Sequence, residues 1–247
     1  MIDIIDLCRS FNGLRVLDGL SLTIPPGRIT VIIGKSGAGK SVLLKHIAGL
    51  LTPDSGRILI NGVDLTRARG RERLELKKRI GVLFQGGALF DSLTVFDNVA
   101  FPLREKTRLP EAEIRRRVRL RLEQVNLTPE VDHKYPDELS GGMKKRVALA
   151  RALIQEPEIL LFDEPVTGLD PPMTNAVFHL IEKTHRETGY TGVVVSHDIP
   201  AIFRIADQVA MLHAGRIIAV GTPEEIQAHP DPVVQSFIRG EPDFQAS

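Results

Sequence analysis

The phrase Gly34-Lys35-Ser36-Gly37-Ala38-Gly39-Lys40-Ser41, directly behind the apolar run Ile29 to Ile33, constrains this chain more than any other feature. A short β-branched run fits a strand buried on both faces, and the glycines let successive backbone N–H groups turn inward around an anion. The G-x-x-x-x-G-K-[ST] spacing is that of a P-loop, which works only as strand, loop and helix in succession. Lys40 then reaches the β- and γ-phosphates of a nucleotide, and Ser41 presents its hydroxyl to Mg²⁺. A second glycine phrase, Leu139-Ser140-Gly141-Gly142-Met143, opens a helical stretch whose unpaired N–H groups and positive dipole end also face negative charge. One nucleotide needs one cradle, so a second implies that the nucleotide is shared.

Further short apolar runs, Ile80 to Phe84, Ile159 to Phe162 and Val193 to Val195, are spaced for a mostly parallel α/β sheet. Leu20 to Ile24, and Arg57 to Ile60 before Asn61-Gly62, read instead as antiparallel hairpin material, since Asn-Gly suits a tight primed turn. From Gly86 to Gln155 helical signals replace strand signals. Ile114, Val118, Leu122 and Val125 recur at helical spacing after Pro110, and Met143 to Gln155 ends before Pro157. The expected organisation is an α/β core from 1–85 and 156–221, a helical subdomain at 86–155, and an extension at 222–247. That extension carries a capped helix after Thr222-Pro223 and another around Val233 to Ile238.

With 247 residues and 43% hydrophobic content the chain can bury a full core. Its 32 basic against 31 acidic residues give a net charge of +1, which offers no global attraction to nucleic acid. Cys8 is the one cysteine, which excludes an intramolecular disulfide and a Cys-rich zinc site and fits a reducing cytoplasm. No apolar stretch is long enough to span a bilayer, so a membrane role requires another chain to supply the span.

Ile159-Leu160-Leu161-Phe162-Asp163-Glu164 is an apolar strand ending in two acids. Alternation along a strand turns the two carboxylates to different jobs. Asp163 is the candidate Mg²⁺ ligand and Glu164 the general base for an attacking water, although alone the phrase also reads as a strand with a solvated acidic end. Gln85, after Ile80 to Phe84, is a candidate contact for Mg²⁺ or water; alone it reads equally as a strand end. His197 in Val195-Ser196-His197-Asp198 is placed to hydrogen-bond a γ-phosphate, while His46, His179, His185 and His213 sit in helical or turn contexts.

Taken in this order, the phrases resemble the nucleotide-binding domain of an ATP-binding cassette (ABC) ATPase, over nearly all of Ile2 to Val220. The resemblance implies a P-loop NTPase (RecA-like) α/β core with an antiparallel β flank and an inserted helical subdomain. It implies that Leu139 to Met143 is the signature loop, whose Ser140, Gly141 and Gly142 cap ATP held by a second copy in a head-to-tail dimer. By the same resemblance Phe11 matches the aromatic that stacks on adenine, Gln85 the Q-loop, Asp170 the D-loop and His197 the switch histidine; Phe11 also reads as a core phenylalanine. Met143 stands where glutamine is usual. Together with Phe84 to Val99 and the tail phrase His229 to Phe237, it is similar to the ATPases of Mla-type, mammalian-cell-entry-linked lipid transporters. The resemblance therefore implies ATP and Mg²⁺ as cofactors, and a peripheral place on the cytoplasmic face of the inner membrane. Its implied partners are a separate permease and lipid-binding or small accessory subunits, with no nucleic acid.

Two stretches, Arg67 to Arg79 and Arg115 to Arg121, are strongly basic. The second interleaves charge with Ile114, Val118 and Leu122, which fits an amphipathic helix with a solvated face and leaves contact with anionic headgroups or nucleic acid as the other reading. Between Gln85 and Pro102, Ala88, Leu89, Phe90, Leu93, Val95, Phe96, Val99 and Phe101 supply part of a core and a candidate apolar surface, and the family resemblance implies that this region receives the permease. Other transported cargo, such as amino acids or lipoproteins, remains open. So does a soluble ABC protein acting on DNA or the ribosome, although tandem cassettes, long coiled coils and zinc modules are absent from the sequence.

Overall fold

The computed structural model describes residues 1–197 and 199–241; Asp198 and the last six residues of the 222–247 extension lie outside the described residues, as does the side chain of Pro200. The chain divides into two compact units, 1–77 with 193–247, and 78–192.

The first unit begins with an antiparallel hairpin of β1 (Ile2–Phe11) and β2 (Leu14–Ile24). The Asn12-Gly13 turn joins them, both residues at positive φ as a primed turn requires. β2 therefore starts six residues earlier than the apolar run Leu20 to Ile24 suggests, because pairing with β1 extends order into a segment that mixes Leu14, Val16 and Leu17 with Arg15, Asp18 and Gly19. β3 (Ile29–Ile33) is buried throughout and feeds α1 (Lys40–Ile47) through the glycine loop. β4 (Ser55–Ile60) pairs antiparallel with β1 and, across Asn61-Gly62, with β5 (Val63–Asp64), giving the order β2-β1-β4-β5. α2 (Gly70–Lys78) carries the first basic stretch and buries Leu76.

In the second unit, β6 (Ile80–Leu83) pairs parallel with β7 (Ile159–Asp163). Every element between them is helical: α3 (Val95–Lys106), α4 (Glu111–Gln124) and α5 (Gly141–Leu153), with two short 3₁₀ turns. α4 buries Ile114, Val118 and Leu122 and leaves Arg115 and Arg116 exposed, as its periodicity requires. α5 begins two residues before Met143 because Ser140 caps it, its hydroxyl accepting from the Met143 N–H. α6 (Pro171–Thr188) is capped by Asp170 and closed by Gly189 in the left-handed region.

β8 (Thr191–Val195) carries the chain back into the first unit, followed by α7 (Ile199–Ile202). There β9 (Gln208–His213) lies parallel to β3 and antiparallel to β10 (Arg216–Gly221). α8 (Pro223–Gln227) starts with a Thr222–Glu225 capping box, and α9 (Pro232–Arg239) ends the described chain. Among the described residues no helix is long and apolar enough to cross a membrane.

Candidate functional site

Each unit holds its own share of the sequence-predicted residues. In the first, β3 ends at the P-loop, and Gly34 fits only as glycine: a Cβ there would lie 2.3 Å from the Leu212 carbonyl oxygen. Gly39, at φ 101°, is the N-cap of α1 and has no side chain to cap it. The positive end of the α1 dipole thereby faces the loop, where anions are favoured. Lys40 is buried, its Nζ donating to the carbonyls of Gly34 and Lys35 at 2.7 and 3.0 Å, while the Ala38 N–H closes a turn on Lys35. The ammonium is thus held over its own loop rather than in solvent. Ser36 and Gly37 are exposed at the crest; Ser41 is half-buried in the first turn of α1.

Lys35 and His197 line one surface cavity of about 440 Å³, whose opposite wall is the end of α9, from Phe237 to Glu241. The structure thus brings His197 to the same cavity as Lys35, within one unit. Phe11 ends β1 and is exposed, and among the described residues its ring contact is with Arg9. His46 is buried in α1 with Nδ1 at 2.8 Å from the Val42 carbonyl, and burial pushes its pKa below the usual histidine value.

In the second unit, Asp163 ends β7 almost fully buried, and Glu164 follows at φ 49°. A glutamate in the left-handed region is strained, and the strain turns its carboxylate out of the strand line. The Thr167 hydroxyl donates to Glu164 Oε2 at 2.6 Å and fixes the rotamer. Lys145, on α5, is buried and donates from Nζ to the backbone carbonyl of Gln85. Burial lowers its pKa, and the charges of Glu164 and Asp163 act against that shift. One ammonium therefore links the Q-loop backbone to the field of both carboxylates. Two turns along α5, Arg151 donates to the carbonyls of Gly87 and Ala88 at 2.8 Å each and stacks over the Phe90 ring. α5 thus grips three carbonyls of the segment after β6, while the Gln85 side chain belongs to an exposed residue.

The signature loop lies against the segment that follows Glu164. A Cβ on Gly142 would meet Met173 Cε at 2.1 Å, and one on Gly141 would touch Leu169 at 3.3 Å. Ser140 and Gly141 are exposed, and Asp170 spends one carboxylate oxygen capping α6, accepting from the Met173 N–H at 2.9 Å. Gly141 and Gly142 therefore pack directly against the stretch from Leu169 to Met173 within this unit.

Sequence reasoning missed Lys145, Arg151, Thr167 and Asn98. Fully buried Asn98 accepts from the Phe90 N–H and donates to the carbonyls of Phe90, Leu93 and Thr94, stitching the apolar loop onto α3. Phe90 and Phe101, 4.8 Å apart, stand exposed on that surface. A signal for Lys145 was present: it sits three residues after Gly142 and four before Leu149, on the buried stripe of α5, where a solvated lysine does not belong.

The donor chemistry fits Mg²⁺, a hard cation that accepts a hydroxyl and one or two carboxylates and keeps several waters. Ser41 in the first unit and Asp163 in the second are each donors of that kind; among the described residues there is no group of three or more His, Cys, Asp or Glu that could hold a metal ion.

Comparison with known proteins bears directly on these parts. The ABC transporter family matches residues 17–167, which include the P-loop, the signature and the paired acids. This chain belongs to the ABC transporter family. It is 45% identical over 233 residues, 94% of this chain and 88% of the relative, to the intermembrane phospholipid transport system ATP-binding protein MlaF of Haemophilus influenzae. A probable ribonucleotide transport ATP-binding protein, mkl of Mycobacterium bovis, is 41% identical over 97% of this chain, which spans 66% of that protein. Among solved structures, the ATP-binding cassette MJ0796, a dimer in a post-hydrolysis state with ADP and Pi, superposes with a TM-score of 0.83 at 30% identity over 90% of this chain and 99% of its own. The cbiO1 protein of Clostridium perfringens, part of an ABC transporter complex, reaches 0.84 at 33% identity, covering 96% and 94%. Both support the α/β cassette fold described above.

Proposed function

We propose that this chain is the ATP-binding and hydrolysing subunit of a transporter, in which two copies close head to tail around two ATP molecules and drive a separate permease. The observation that carries this reading is the presence of two different anion cradles in one chain: a P-loop closed on its own lysine, and a glycine-opened helix start whose Ser140 and Gly141 are exposed. The dimeric, ADP-bound relative supports it.

In this reading Lys40 and the P-loop N–H groups neutralise phosphate, Ser41 and Asp163 hold Mg²⁺, and Phe11 stacks on the base. The metal supplies Lewis-acid charge neutralisation at the phosphates. Glu164 accepts a proton from the attacking water, its carboxylate oriented by Thr167. His197 donates to the γ-phosphate, and Gln85 reports its state to the helical segment 86–155. Lys145 and Arg151 transmit that report, since they tie α5 to the backbone of residues 85–88. Ser140, Gly141 and Gly142 act on the nucleotide of the second copy, with Asp170 at the interface between copies.

The cargo is phospholipid, supported by the similarity to MlaF, and the place of action is the cytoplasmic face of the membrane. Phe90 and Phe101 offer the permease an apolar seat, and lipid-binding or small accessory subunits complete the assembly. Ribonucleotide transport, which the mycobacterial relative favours, rests on lower identity and on a longer protein.

Glu164→Gln keeps the shape of the carboxylate and removes its basicity. Turnover should fall by about 10² to 10⁴, and size exclusion with ATP should show a stable dimer. A variant that stays monomeric with ATP, or that turns over normally, contradicts the reading. Purification with the native permease, followed by lipid extraction, tests the cargo; bound phospholipid supports it and its absence beside bound nucleotide substrate overturns it.

A further inference from the structure

Phe11 stands at the tip of a hairpin whose residues 11–15 are all exposed, so packing does little to hold its ring. What does touch it is a cation. The Arg9 guanidinium carbon lies 4.7 Å from the ring centroid, on the same face of β1 two residues back. Arg9 is itself anchored: its Nη1 donates to Asp54 Oδ1 at 2.8 Å and to the Thr52 carbonyl at 3.2 Å. Asp54 in turn accepts from the Ser10 N–H at 2.7 Å through Oδ2 and donates its own N–H to the Cys8 carbonyl. The Nε of Arg9 is buried with no hydrogen-bond partner. The ion pair and hydrogen bonds of Nη1 thus hold one end of the guanidinium, while its Nε has no polar partner and its carbon lies over the ring.

We propose that Arg9 is a positioning residue for adenine, acting through Phe11 by covering one face of its ring and leaving the other to the base. The proposal rests on the reading of Phe11 as the adenine-stacking aromatic. Two physical effects follow. The cation draws π-density toward itself, which lowers the repulsion between the opposite ring face and a second stacked π-system. The anchored guanidinium also fixes the ring before the base arrives, so less freedom is lost on binding. Neither effect involves the phosphates, which separates this role from a general structural one.

The test is calorimetric titration of the full chain with ATP and, separately, with inorganic tripolyphosphate, both without Mg²⁺. Arg9→Ala should weaken ATP binding roughly three- to five-fold, the range of a partly exposed cation–π contact, and leave tripolyphosphate binding unchanged. Arg9→Lys should restore part of the loss, and in steady state Arg9→Ala should raise KM with kcat unchanged. Phe11→Ala should weaken ATP binding more than Arg9→Ala does. If Phe11→Ala leaves ATP affinity intact, the stacking reading falls and the proposal falls with it. If Phe11→Ala weakens ATP binding and Arg9→Ala does not, the proposal alone is overturned. Equal loss of ATP and tripolyphosphate in Arg9→Ala also overturns it, because the damage then lies in the phosphate site or the fold. Arg9→Gln, which keeps hydrogen-bonding capacity toward Thr52 and Asp54, guards against misfolding and should behave as Arg9→Ala does.

Discussion

The starts of α1 and α5 are both glycine-rich, both lack an acid in the first turn, and both turn the positive end of a helix dipole toward negative charge. They achieve this by opposite means. α1 has no capping side chain; its loop folds inward, its lysine bonds its own carbonyls, and Gly34 is pinned against the backbone of Leu212. α5 is capped by a serine hydroxyl, carries two exposed residues at its tip, and pins Gly142 only against the flexible end of Met173. The first is a cradle closed on itself, and the second is a surface made to meet something outside the chain.

That contrast is broken most directly by disabling each cradle separately and mixing the products. Lys40→Ala removes the phosphate cation of the first. Gly141→Asp places a carboxylate at the second, where the nearest side-chain atom to a new Cβ is Leu169 Cδ2 at 3.3 Å, so the fold survives. Each variant alone should lose about 100-fold or more of its ATP turnover, as removal of one preorganised electrostatic group does. If the site is shared, mixed dimers contain one intact site, made of Lys40 from one chain and Gly141 from the other. A mixture should then recover about a quarter of wild-type turnover, from one working site in the half of dimers that are mixed. A mixture that stays inactive means both cradles serve the same chain.

A smaller effect sharpens the same contrast in stability. Gly34→Ala forces a Cβ into a backbone carbonyl that cannot move without displacing β9, and should cost about 3 kcal/mol in denaturant unfolding. Gly142→Ala meets a methionine terminus that can swing aside, so the loss should be about 1 kcal/mol. Met173→Ala should rescue Gly142→Ala in a double-mutant cycle. Equal losses at the two glycines would remove the distinction between a backbone-locked and a side-chain-packed loop.

The difference in construction also explains what could be read from the sequence. The P-loop is legible because its chemistry is contiguous: strand, glycines, lysine and helix occupy Ile29 to Ile47, and each neighbour constrains the next. β3, β6 and β7 came out near their observed bounds because buried parallel strands are written as short apolar runs. The first half of β2, where Arg15, Asp18 and Gly19 interrupt the apolar residues, did not, since pairing with β1 orders it. Around α5 the same reasoning found the signature phrase but not its support. Lys145 finds Gln85 sixty residues away, and Arg151 finds Gly87 sixty-four away, by long-range folding that no local pattern encodes. Asn98 is the sharpest case: an asparagine inside a helical pattern carries no hint that four hydrogen bonds depend on it.

The smallest expected effect separates the two helices by pH. α1 buries His46 and α5 buries Lys145, and burial lowers both pKa values, but Glu164 and Asp163 oppose the shift at Lys145. At His46 the largest influence is loss of water, so the folded protein favours the neutral ring, whose Nδ1–H donates to the Val42 carbonyl. In the unfolded chain the imidazole takes up a proton near the usual histidine value of 6.5, whereas the folded one resists until lower pH. The unfolded state then binds more protons, so stability falls as pH drops below that value and is fully present above it. Subtracting the slope of a His46→Gln variant between about pH 7 and 5.5 isolates this ring from the other histidines of the chain. His46→Gln keeps a donor for Val42 and removes the titration, so it should flatten the pH slope of the unfolding midpoint in that interval. Activity of a mixed Lys40→Ala and Gly141→Asp dimer should be unaffected by the same substitution at pH 7.5, because the neutral ring contributes packing under α1 and no charge to the cradle. A slope that persists in His46→Gln assigns the pH sensitivity elsewhere and leaves the closed cradle without its buried switchable group.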